Sequence, residues 1–134
     1  MRSISPHSPT LIDCLQRAVQ QTPDKTALRA IPGVLGVYEI ADAAGRLLLI
    51  GFAGGREPFG LRSKIADHFS DGELNPVLRE RAAQFRWESN QQYTTRRLEM
   101  LMHYLDEHEG SWPPANAAGD WEDRPTLGRL RRNT

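Results

Sequence analysis

Apolar positions along the chain change their period several times, and each change marks an element. Leu11, Ile12, Leu15, Ala18 and Val19 recur at helical spacing. Thr10 stands where an N-cap belongs and Pro23 where a helix must stop, so a helix is predicted between them. Residues 22–33 carry Pro23, Pro32 and Gly33 and read as a connector. Val34 to Ile40 is β-branched and apolar, and predicts a strand. Asp42-Ala43-Ala44-Gly45 supplies a turn, and Arg46 to Ile50 a second strand, so the two form an antiparallel hairpin. The unbroken run Leu47 to Ile50 is the pattern of a strand covered on both faces, which predicts a central position.

The period then becomes helical again. Gly51 to Gly60 is rich in glycine and reads as a loop; Leu61, Ile65 and Phe69 line one side of a helix over 61–69. Asp71 and Gly72 end it. Asn75 caps a short helix that opens at Pro76. Phe85-Arg86-Trp87-Glu88 alternates, as a third strand would. Tyr93 to Glu109 is the longest helical stretch, with Leu98, Leu101, Met102 and Leu105 as its apolar stripe, and Gly110 and Pro113-Pro114 beyond it. The fold class expected is α/β, a small three-stranded sheet with an N-terminal hairpin, flanked by helices. The chain divides into an arm and accessory helix (1–33), a core (34–117) and a basic tail (118–134).

Composition narrows the class. At 134 residues, with 39% hydrophobic and 25% charged residues, the chain is one globular domain. Seventeen basic and seventeen acidic residues give no net charge, whereas dedicated nucleic-acid binders usually carry a basic excess. The arginines are nevertheless uneven: Arg79, Arg81, Arg86, Arg96 and Arg97 crowd the middle, and Arg124, Arg129, Arg131 and Arg132 the end. They form either a solvated surface or a local anion-binding patch. Cys14 is the single cysteine and lies in an apolar helical pattern, which suits a small buried hydrophobe. No stretch reaches 18 apolar residues, and the first nine residues lack the blocks of a signal peptide, so no membrane partner and a cytoplasmic location are expected.

Several residues could carry chemistry. Gly36-Val37-Tyr38 opens the hairpin and Leu49-Ile50-Gly51 closes it. A helix with Arg62 and Lys64 ends at His68. Glu99 is an acid inside the apolar stretch of the last long helix, and Asn116 follows Pro113-Pro114. In order, spacing and context these residues resemble the GIY-YIG nuclease family, over about residues 34–117. The resemblance implies divalent-metal-dependent hydrolysis of nucleic-acid phosphodiesters, with DNA as the expected target. Glu99 would hold Mg²⁺ or Mn²⁺, Tyr38 would help to deprotonate the attacking water, and His68 would complete the catalytic set. Lys64 would stabilise charge on the phosphate, with Arg62 and Asn116 beside it. The chemistry is coherent: a hard cation can be held by very few carboxylates, it acidifies bound water, and a neighbouring cation meets the charge that grows in the transition state.

Two departures from the family pattern bear on activity. Leu49 stands where the second motif has tyrosine, and offers no hydroxyl. Lys64 stands where arginine is usual, and loses the bidentate fork. Two functional expectations follow: an active nuclease, or a GIY-YIG-fold module that has lost catalysis and binds nucleic acid or protein. Each residue also has a plainer role. Tyr38 can pack, His68 can complement a helix C-terminus, and Arg62 and Lys64 can be a solvated face. Glu99 is expected to be partly desolvated by its apolar neighbours, and to pair with Arg96 or His103, if not to share a metal with His103. Asn116 can organise a turn. Gly51 and Gly54-Gly55 lack the lysine and spacing of a phosphate loop and read as turn residues.

Overall fold

The computed structural model describes residues 25–55 and 59–118. The helix expected between Thr10 and Pro23, Cys14, and the basic tail beyond residue 118 lie outside them. A short helix, α1 (Lys25–Arg29), precedes the hairpin of β1 (Gly36–Ala41) and β2 (Leu47–Ala53). Then follow α2 (Gly60–His68), α3 (Pro76–Arg81), β3 (Gln84–Ser89), α4 (Tyr93–Glu107) and α5 (Pro114–Ala118). The expected class holds: a small α/β domain with one three-stranded antiparallel sheet between helices.

The sheet order is β2-β1-β3, so β1 is central and β2 lies at an edge. The run Leu47 to Ile50 therefore reports cover on both faces by helices, not a central place in the ladder. β2 also runs on to Ala53, past the expected end at Ile50. The helices α1 and α5, five residues each, fall in stretches read without a helix, the connector at 22–33 and the end of the core after Pro113-Pro114. Segments so short have too few positions to establish a helical period.

Strand alternation divides the core. Tyr38, Ile40, Ala53 and Phe85 point to one face and pack with Leu61 and Ile65 of α2, Leu78 of α3 and Ala115 of α5. Val37, Leu47 and Ile50 point to the other face and pack with Met100 and Leu101 of α4. Tyr38 stands opposite Gly51 across the hairpin. A Cβ on Gly51 would come within 2.5 Å of the Tyr38 ring and hydroxyl, so only glycine lets that ring lie flat on the strand. Gly45 closes the turn at φ +89°, a conformation costly for other residues.

On α4 the sheet-facing stripe is turned from the one expected. Arg97, Met100, Leu101 and Leu105 are buried, while Met102 is exposed. Arg97 takes its place by stacking its guanidinium over the Phe52 ring, 4.5 Å from the centroid. Phe52 in turn stacks on Tyr93. An aromatic surface thus lets a charged residue occupy an inward helical position, while Met102, which hydropathy alone places inward, stands exposed.

A candidate site around Tyr38 and His68

The first hairpin strand and the last residue of α2 meet through one hydrogen-bonded chain. The Tyr38 hydroxyl lies 2.7 Å from Nε2 of His68, and Nδ1 of His68 lies 2.6 Å from Oε1 of Glu73. A carboxylate only accepts, so Nδ1 carries a proton and donates it to Glu73. In the neutral imidazole Nε2 then accepts from the Tyr38 hydroxyl. Glu73 is held in turn: its Oε2 accepts from the Asn75 backbone N–H at 2.8 Å. Asn75 caps α3 by accepting from the Val77 and Leu78 backbones, and its amide donates to the Ala115 carbonyl of α5. The expected cap at Asn75 is therefore present, and it also ties three elements together.

This chain runs from the core toward the surface, with the side chains of His68 and Glu73 18% and 13% exposed. Tyr38 is 2% exposed. Burial is the largest influence on His68 and lowers its pKa below the ordinary 6.5, as does the nearby Lys64. The Glu73 bond and charge, and the charge of Asp67, oppose that shift without cancelling it. A histidine depressed in the fold contributes stability above its unfolded pKa, and loses that contribution as pH falls toward the folded value. Stability is thus expected to decline as pH drops below about 6.5, the ordinary histidine value. Melting temperatures measured across this range should show the decline, and His68→Gln should flatten it. An unchanged profile in that variant would exclude His68 as the group responsible.

The other residues of the sequence-derived set are placed differently. Arg62 donates through Nε to the Ile31 carbonyl at 2.7 Å and so braces the segment before the hairpin. Asn116, expected near a phosphate, is buried, and both ends of its amide are engaged. Its Oδ1 accepts from the Ile50 N–H at 2.9 Å and its Nδ2 donates to the Ile50 carbonyl at 3.1 Å. A side-chain amide here imitates a neighbouring strand and caps the outer edge of β2.

Glu99 departs furthest from expectation. It lies on α4, which packs on the sheet face opposite Tyr38. Its side chain is 60% exposed, not desolvated, and pairs with Arg96 at 3.0 Å, the partner expected from i−3 spacing. Arg96 also reaches the buried Glu88 at 3.1 Å, and His103 pairs with Glu107. Among the described residues no group of three or more His, Cys, Asp or Glu side chains gathers as a metal site. The residues present therefore do not fit one cation shared between Glu99 and a water at Tyr38.

Glu73 is the residue that sequence reading missed. It sits in a polar loop, five positions after His68, with no periodicity to mark it, and only the folded loop turns its carboxylate back onto the imidazole. Among the described residues no helix is long and apolar enough to cross a membrane. A family model described as a domain of unknown function (DUF7508) matches residues 16–109. No curated protein matches the chain.

Proposed function

Since the chain belongs to the DUF7508 family, a domain of unknown function, we propose from its geometry that it is a GIY-YIG-like module that binds nucleic acid without hydrolysing it. One observation carries this reading. Tyr38 is almost wholly buried on one face of the sheet, whereas Glu99 projects from the helix on the other face. The phenol and the carboxylate that metal-dependent cleavage requires do not share a cleft. Leu49 in place of the second tyrosine and Asn116 in a structural role agree with this reading. Binding would rest on cations meeting phosphates, with Arg62 and Lys64 on α2 the candidates. The working location is the cytoplasm.

The test is titration of labelled DNA and RNA duplexes at several salt concentrations. Binding that weakens linearly in log–log form as salt rises is the expected result, because each neutralised phosphate releases counterions. Lys64→Ala should weaken binding to all sequences by a similar factor and make the salt slope shallower. Absence of binding at low salt overturns the nucleic-acid assignment.

The hydrogen-bonded chain Tyr38–His68–Glu73 favours a second reading, an active nuclease. A phenol bound to an imidazole that is itself oriented by a carboxylate has a route for its proton. Plasmid nicking in Mg²⁺ or Mn²⁺ separates the two readings. Nicking abolished by both Tyr38→Phe and Glu99→Gln would establish the enzyme and remove the binding-only proposal. Intact plasmid under both metals supports the binding module.

A further inference from the structure

The two edges of the sheet are treated differently. On β2 the outward N–H and C=O of Ile50 are closed by Asn116. The other edge belongs to β3. The Asn90 N–H donates to the Leu35 carbonyl at 3.0 Å, and residues 36 and 89 are register partners. In an antiparallel ladder bonded pairs alternate. Val37–Glu88 and Glu39–Arg86 are therefore the bonded pairs, and the backbone groups of Phe85, Trp87 and Ser89 point away from β1. Among the described residues no backbone bond from Phe85, Trp87 or Ser89 to an element other than β1 is found. The strand pairs with β1 in unbroken register over Gln84–Ser89 and contains neither proline nor lysine, two common devices that keep an edge from pairing.

Charge selects the occupant. Charged residues that point inward usually discourage edge pairing. Arg86 and Glu88 point inward here, to the face covered by α4, but they flank Trp87 symmetrically with opposite signs. A second copy of β3, laid antiparallel and centred on Trp87, places Arg86 of each copy opposite Glu88 of the other, each already paired within its own copy, Arg86 with Glu39 and Glu88 with Arg96. Opposite charges directly across a strand pair are favourable and like charges are not. The same register sets Phe85 opposite Ser89 and satisfies every outward N–H and C=O of Phe85, Trp87 and Ser89 on both copies. A two-fold axis normal to the sheet keeps each face with its like face. The chain has no net charge to drive copies apart.

We infer that β3 is a self-complementary edge through which two copies of this chain join into one continuous six-stranded sheet, with Trp87 on the two-fold axis. This interface is independent of the nucleic-acid proposal and uses none of its residues.

The experiment is mass measurement of the full chain over a wide concentration range, with backbone hydrogen exchange at each concentration. The expected mass rises with concentration from 15.1 kDa toward twice that value. The amides of Phe85, Trp87 and Ser89 are expected to slow in step. Proline cannot donate, so Trp87→Pro and Ser89→Pro each delete one outward N–H while sparing the bonds to β1. Each should weaken association by about tenfold or more, with an unchanged circular-dichroism spectrum. Ser89, being exposed, is the safer of the two for folding. A constant mass of 15.1 kDa overturns the inference. That holds also if the three amides are protected in the monomer, since the chain's own segments would then occupy the edge. A dimer that neither proline affects, with the three amides exchanging equally fast at all concentrations, overturns it as well.

Discussion

Asn116→Leu is expected to destabilise the fold by about 2–5 kcal/mol, because it orphans a buried N–H and a buried C=O at one stroke. Leucine keeps asparagine's branched skeleton with bulkier ends and leaves no cavity, so the loss of hydrogen bonding leads the cost. The wild-type amide sits at 4% exposure and holds both groups of Ile50. With the amide gone, neither outward group has another partner at hydrogen-bond distance among the described residues, and an unpaired buried polar group carries roughly 1–3 kcal/mol of desolvation penalty. Chemical denaturation followed by tryptophan fluorescence measures the change, and the amide of Ile50 should also lose its protection from hydrogen exchange. A loss below about 1 kcal/mol would mean that water replaces the side chain at Ile50, and that Asn116 is dispensable to the edge of β2.

Arg86→Met is expected to cost a similar or larger amount, about 3–5 kcal/mol, through the charge it leaves behind. Arg86 and Glu39 stand opposite one another on β1 and β3, with Nε and Oε1 2.5 Å apart. Both side chains are nearly inaccessible, at 4% and 3% exposure. Removing the arginine takes from the buried Glu39 carboxylate the cation it is bonded to, in a low-dielectric layer beneath α4. Removing both charges is a different experiment. The double variant Arg86→Met, Glu39→Leu should recover most of the loss, since well-packed apolar replacements of a buried pair are often neutral or stabilising. Urea midpoints for the two single variants and the double close the cycle. A double variant no more stable than Arg86→Met alone would show that other contacts of Arg86, and not the loss of its charge beside Glu39, set the cost.

The two experiments also bear on function. Asn116 and Arg86 both look, in sequence, like groups that could meet a phosphate. Their partners in the fold commit them to backbone and to carboxylate, and a binding assay on the stable double variant would separate the two roles for Arg86. Of the sequence-derived site, Tyr38 and His68 are brought into contact, across the thirty residues that separate them. Glu99 is not brought to them, and its exposure follows from helical geometry. With Arg97, Met100 and Leu101 turned to the sheet, position 99 must face outward on α4. Its apolar neighbours in sequence are neighbours along the chain, not around the side chain. That distinction is why an acid within a run of leucines and methionines can still stand in water.

The amino-acid sequence by itself determined the hairpin, the helix that ends at His68, the capped turn at Asn75, the third strand and the long final helix. Each is written in a local period, a turn residue or a cap, and these act over a few positions. It also pointed to a small sheet with helices packed on it, since few strands and several helical stripes can bury their apolar faces that way. Tertiary structure alone decided that β1 and not β2 is central, and that Arg97 faces inward over an aromatic ring. It also decided that Glu73 orients His68, that Asn116 closes one edge of the sheet, and that Glu99 lies across the sheet from Tyr38. The reason is common to all five. Each depends on which face of one element meets another, and a pattern of periods specifies the faces of an element without specifying its partner.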